Sequence, residues 1–131
     1  MKNFIKKLIF LVIPIFLTSC DDTKITDIDD KDKFIPESNI SYKEHIQPIL
    51  DVKCSRCHNN TNKSGNVSFE NYQSTTSDFR IVFPGNPSAS RLYQVLNPYD
   101  TKYMPPFPNP PLTEKQKKAV YQWILEGSKN N

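Results

Sequence analysis

The chain has 131 residues, 37% of them hydrophobic and 24% charged, with seventeen basic side chains against fourteen acidic ones. That length allows one small domain beside a leader, and the slight positive excess has no basic run behind it, which excludes nucleic-acid binding as the function. Three cysteines and two methionines are few enough that each asks for its own explanation.

Lys2, Lys6 and Lys7 precede an almost wholly apolar run over residues 8–17, which ends in LTSC at residues 17–20. A basic start, a short apolar core and small residues before a cut form the pattern of a secretory signal. The run is too short to cross a bilayer as a helix, and Pro14 interrupts it. LTSC resembles the lipobox of bacterial lipoproteins. That resemblance implies a signal peptide over residues 1–19 and a diacylglyceryl group on Cys20, the first residue of the mature protein. The alternative is an ordinary signal peptide with a spare cysteine. More than one acyl chain gives stable anchoring where a single chain does not.

Loss of residues 1–19 removes three lysines and no acid, leaving fourteen of each sign. The neutrality hides an asymmetry. Residues 21–32 hold six aspartates against two lysines, whereas twelve basic and eight acidic residues follow from Lys33 onward. With isoleucine as its one apolar residue type, the acidic stretch reads as a solvated tether over 20–33, joining the lipidated cysteine to a domain over 34–131.

Ser41 and Glu44 fit a capping box, opening a helix with Ile46, Ile49 and Leu50 on one side. Pro48 is expected to kink or split it. CSRCH follows at residues 54–58. A disulfide between Cys54 and Cys57 would close too small a loop to stabilise a domain much. A thioredoxin-like pair belongs beside a βαβ pattern, which the chain lacks. Zinc needs four tetrahedral ligands, and adjacent Cys57 and His58 cannot easily point at one metal, with His45 the only other histidine. C-x-x-C-H is also the pattern of c-type haem attachment, and that reading is favoured. Cys54 and Cys57 then carry thioether bonds to the haem, and His58 is the proximal iron ligand.

Residues 59–66 are loop-forming, with Gly65 available for positive φ. The stretch 67–83 has no clear period, and Phe69, Tyr72, Phe79 and Phe83 are expected to line the haem pocket. PGNP at residues 84–87 is a turn in which Asn86 caps and Pro87 begins a helix, with Leu92, Val95 and Leu96 on its apolar side. Met104 is the sole methionine once Met1 is lost, and it opens a proline-rich loop, MPPFPNPP. Proline stiffens such a loop, so it can hold a weak thioether ligand near the iron. A gap-filling core methionine is the competing reading, and His45 the rival distal ligand. Thr113 and Gln116 make a second capping box before a stripe of Ala119, Val120, Trp123 and Ile124, ended by Gly127. Trp123 is assigned to the core, and this helix is expected to cross the first.

From residue 42 to 128 the chain resembles the small monohaem cytochrome c domains of exported bacterial proteins. The matching stretches are HIQPILDVKCSRCH, VFPGNPSASRLYQ, MPP and PLTEKQKKAVYQWILEG. The resemblance implies an all-α, cytochrome c-like fold of three to four helices with long loops around one covalent haem c. It assigns Cys54 and Cys57 to haem, His58 to the proximal side and Met104 to the distal side. The stretch NVSFENYQ after Gly65 departs from the family's usual glycine and leucines. The backbone near Phe83 and Pro84 is the expected hydrogen-bond acceptor for the other His58 nitrogen.

The function that follows is a membrane-tethered carrier of single electrons outside the cytoplasm, monomeric, with a dehydrogenase, oxidase or another cytochrome as redox partner. It is not expected to be an enzyme. A haem enzyme or small-ligand sensor with a labile sixth position is the alternative.

Overall fold

The computed structural model describes residues 32–131, so the signal peptide, Cys20 and the tether up to residue 31 lie outside the described residues. Among the described residues there are helices and loops and no strand. The first helix starts with a π-helical turn, Tyr42–Ile46, and continues as α1, Gln47–Lys53. After it come a short α2, Tyr72–Thr76, then α3, Arg91–Gln94, and α4, Glu114–Leu125. The fold is all-α, as expected of a cytochrome c-like chain.

Pro48 lies in the first turn of α1, where its missing N–H matters least, and the π turn ends just before it. The helix is not split: Ile46 and Gln47 both keep right-handed helical angles, and only the winding changes, from π to α. The capping box at Ser41 is only half formed. Ser41 Oγ accepts the Glu44 N–H at 3.2 Å, but the Ser41 N–H donates at 2.9 Å to Nδ1 of His45, not to Glu44. A turn wound wider than an α-helix brings the side chain one place further along back over the cap.

Tyr42, Ile46 and Leu50 are buried against Val120, Trp123 and Ile124, so the first and last helices make the core by packing together. The rings of Tyr42 and Trp123 lie 5.3 Å apart. Trp123 is fully buried, and its indole N–H donates to the Lys129 carbonyl at 3.0 Å, as a buried tryptophan needs. At the start of α4 both arms of the capping box are made, between Thr113 and Gln116. Asp32 reinforces that cap. Its carboxylate accepts from Thr113 Oγ1 at 2.5 Å and from Gln116 Nε2 at 2.9 Å, so a residue on the tether side of the expected boundary is tied to the domain.

The chain end serves the first helix, whose leading N–H groups have no partner within it. The Asn131 carbonyl accepts the Lys43 N–H at 3.0 Å and the Ser41 hydroxyl at 2.7 Å, while its side-chain oxygen takes the Tyr42 N–H at 3.0 Å. Glu126 takes the Asn39 and Ile40 N–H groups at 2.7 and 2.9 Å. Gly127, at φ +95°, ends α4 with its N–H on the Ile124 carbonyl, and the Ser128 N–H returns to the Trp123 carbonyl.

The stretch 67–83 corrects part of the sequence expectation. Asn71 and Ser74 cap α2, which leans on the first helix: Tyr72 sits edge-on to Tyr42 at 5.1 Å, and Thr75 Oγ1 lies 2.9 Å from the Tyr42 hydroxyl. Tyr72 thus joins the edge of the core and not the cofactor pocket. Phe79 and Phe83 are exposed and pack on each other at 6.4 Å. Of the four aromatics expected around the pocket, only Phe69 lines it.

Candidate cofactor site

Residues 54–58 form a tight turn at the end of α1. The Cys54 and Ser55 N–H groups both donate to the Leu50 carbonyl at 2.8 Å, and those of Cys57 and His58 both donate to the Cys54 carbonyl, at 3.1 and 3.0 Å. The following loop closes on itself. Asn59 Nδ2 donates to the Ser55 carbonyl at 2.8 Å, and Asn59 Oδ1 accepts the Thr61 and Asn62 N–H groups. Gly65 has a positive φ, as anticipated, and Asn66 has one too. The Phe69 N–H then reaches the His58 carbonyl at 2.8 Å, and the two rings meet edge-on at 5.4 Å. His58 is fixed by backbone on both sides.

Cys54, Cys57 and His58 line a cavity of about 630 Å³, and Met104 lines the same cavity from its proline-rich loop. The three motif residues and the lone methionine of the expected mature chain therefore meet at one place. Phe69, Leu92, Val95 and Leu96 give the cavity apolar surface. Met104 is held at the backbone, its N–H donating to the Val95 carbonyl at 2.7 Å. His45 is not at the cavity; its Nδ1 is occupied at the helix start. Trp123 is core.

Burial pushes the Cys54 thiol up to about 12, and the neighbouring Lys53 charge offsets only part of that. Cys54 is therefore a neutral thiol, ill suited to act as a thiolate nucleophile or metal ligand. A thioether carries no charge and suits that position. No group of three or more His, Cys, Asp or Glu side chains positioned to hold a metal occurs among the described residues.

His58 Nδ1 is buried and has no hydrogen-bond partner. The expected acceptor near Phe83 is engaged elsewhere: its carbonyl takes the Asn86 N–H at 3.0 Å and the Ser90 hydroxyl at 3.3 Å. Those bonds belong to the turn leading into Pro87–Ala89, and they draw that carbonyl into the turn's own closure.

Lys53, Arg56, Arg91 and Lys102 also line the cavity, and no carboxylate does. Sequence reasoning missed this set. Two thiols, an imidazole, a thioether, apolar walls and four cations suit a flat apolar ring that carries carboxylates, and the volume lies within the roughly 300–1,000 Å³ of cofactor sites. The residues present fit haem c.

No curated protein and no solved structure matches the chain. Residues 54–107, from the first motif cysteine to just past Met104, match the family model described as Planctomycete cytochrome C. That match, with the C-x-x-C-H turn, the all-α fold and the cavity that Cys54, Cys57, His58 and Met104 share, supports a c-type cytochrome domain, a family whose members carry covalently bound haem c.

Proposed function

We propose that the domain is a membrane-tethered carrier of single electrons, with His58 and Met104 as the two axial ligands of the haem iron. The observation that carries this reading is the convergence of Cys54, Cys57, His58 and Met104 on one cavity. Haem supplies a one-electron couple at its iron, with a potential raised by Met/His ligation. The chain's own part is to hold, orient and exclude. Thioethers at Cys54 and Cys57 keep the group from leaving, and the backbone bonds on either side of His58 fix the imidazole. The prolines after Met104 and the Val95 bond before it favour a closed sixth position. The cavity lining offers no acid–base pair for peroxide or other substrate chemistry.

Lipid on Cys20 would keep the exported domain beside a membrane, facing the periplasm or the cell surface, with the acidic tether setting its reach toward a dehydrogenase, oxidase or second cytochrome. No helix among the described residues is long and apolar enough to cross a membrane. The mass of the exported protein tests both attachments together: it should exceed the cut chain by one haem and by the acyl groups, and a missing acyl mass removes the tether.

Met104→Ala tests the axial assignment. The ferric protein should lose its weak Met-to-iron band, and the midpoint potential should fall within the roughly 0.8 V range that axial ligands span. An unchanged spectrum and potential overturn the assignment. Rapid carbon monoxide binding by the unsubstituted reduced protein would point instead to the sensor or enzyme reading.

A further inference from the structure

Met104 follows an irregular stretch, residues 97–103, which has no helix to fix it. One side chain dominates the bonding there. The Asp100 carboxylate accepts both ends of the Arg91 guanidinium at 2.8 Å, and its Oδ1 also accepts the Lys102 N–H at 2.7 Å. The Asp100 backbone completes the turn, its N–H on the Asn97 carbonyl at 2.9 Å and its carbonyl on the Tyr103 N–H at 3.2 Å. Arg91 opens α3 and lines the same cavity as Met104. The pair is partly shielded, the Arg91 side chain 35% exposed and that of Asp100 18%.

We propose that Asp100 is the positioning residue for Met104: its ion pair with Arg91 ties the turn that delivers the methionine to α3, and so sets how readily the sixth position opens. The inference rests on the reading of Met104 as an iron ligand. A surface ion pair is usually worth little, but a two-pronged arginine–carboxylate contact also fixes geometry, and here it bridges a rigid element to an irregular one. The Arg91 guanidinium, with the Lys102 N–H, holds the Asp100 carboxyl below its usual range, so the pair is intact at neutral pH. The prolines stiffen only the chain after Met104. Before it, this pair and the Met104–Val95 backbone bond are the ties to α3 and its end.

The test uses the haem-loaded full chain and imidazole as a probe of the ferric sixth position. Asp100→Asn keeps an acceptor for the Lys102 N–H and removes the charge; Arg91→Gln removes the other half. Each should tighten imidazole binding about tenfold and weaken the Met-to-iron band, and the double variant should exceed neither single change by more than about twofold, because both break one interaction. Met104→Ala is the reference. If it tightens imidazole binding while Asp100→Asn stays within about twofold of the unsubstituted protein, the ion pair has no positioning role. If Met104→Ala leaves imidazole binding unchanged, the axial assignment itself fails and takes this inference with it.

Discussion

Cys54, Cys57 and His58 owe their positions to a helix end: the Leu50 and Cys54 carbonyls carry α1 straight into the motif, and the Phe69 N–H holds the His58 carbonyl beyond it. Met104 sits on no helix and owes its position to point ties, the Val95 carbonyl and the Arg91–Asp100 pair, and to the prolines that follow it. The difference is one of robustness. The imidazole side is an extension of a helix packed in the core, so it should withstand any change that leaves α1 folded. The thioether side is a loop held at a few points, and should be separable from the rest.

Removing the chemistry of the imidazole side gives the largest effect. With Cys54→Ala and Cys57→Ala together, denaturing gels should show no haem on the polypeptide, because no other thiol lies in the described residues. Haem stain that survives both changes would break the assignment of that side. Next comes the scaffold beneath it. Trp123→Ala empties a fully buried site and leaves the Lys129 carbonyl unpaired, so the domain should lose about 3–5 kcal/mol of stability. For a domain of this size that lowers Tm on the order of 15 °C or more. Since Trp123 does not touch the cavity, the protein that remains folded should keep its Met-to-iron band. Loss of the band in folded material would mean that the two sides are less separable than their bonding indicates.

Legibility in the sequence follows the same division. The motif, the capping box at Thr113 and the stripe of Ala119, Val120, Trp123 and Ile124 could be read because their physics is local and periodic. Met104 could be placed at the site because the chain offered so few alternatives. Arg91 and Asp100 could not, since nothing in their spacing announces a pair across two elements. Composition does not say which way the short capped helix carrying Tyr72 leans, nor that Phe79 and Phe83, in the loop beyond it, face outward. The Ser41 cap was half right: its oxygen does what serine does at a helix start, but the π turn gives the return contact to His45.

Two smaller changes act at the chain end, which steadies the start of the first helix. Gly127 sits at φ +95°, with nothing within 4 Å of a Cβ placed there, so Gly127→Ala meets backbone strain and no clash. It should destabilise by about 1 kcal/mol, seen as a lower denaturant midpoint with the slope unchanged.

Glu126 gives the smallest effect, and one that depends on pH. Burial alone would raise its carboxyl, but the Gln122 side chain and the Ile40 and Asn39 N–H groups, aided by Lys129, outweigh that and hold it below its ordinary 4.5. A carboxylate depressed in the folded state stabilises that state fully above its unfolded value, and the contribution is lost as pH falls through the lower folded one. Unsubstituted protein should therefore lose this increment below about pH 4.5. Glu126→Gln should be less stable at neutral pH by about 0.5–1 kcal/mol, discounted for solvent exposure, and the gap should close in acid. Imidazole binding should not change, because these bonds steady the helix on the His58 side and leave the Met104 loop alone. A Glu126→Gln protein that bound imidazole more tightly would show that the chain end reaches the thioether side after all.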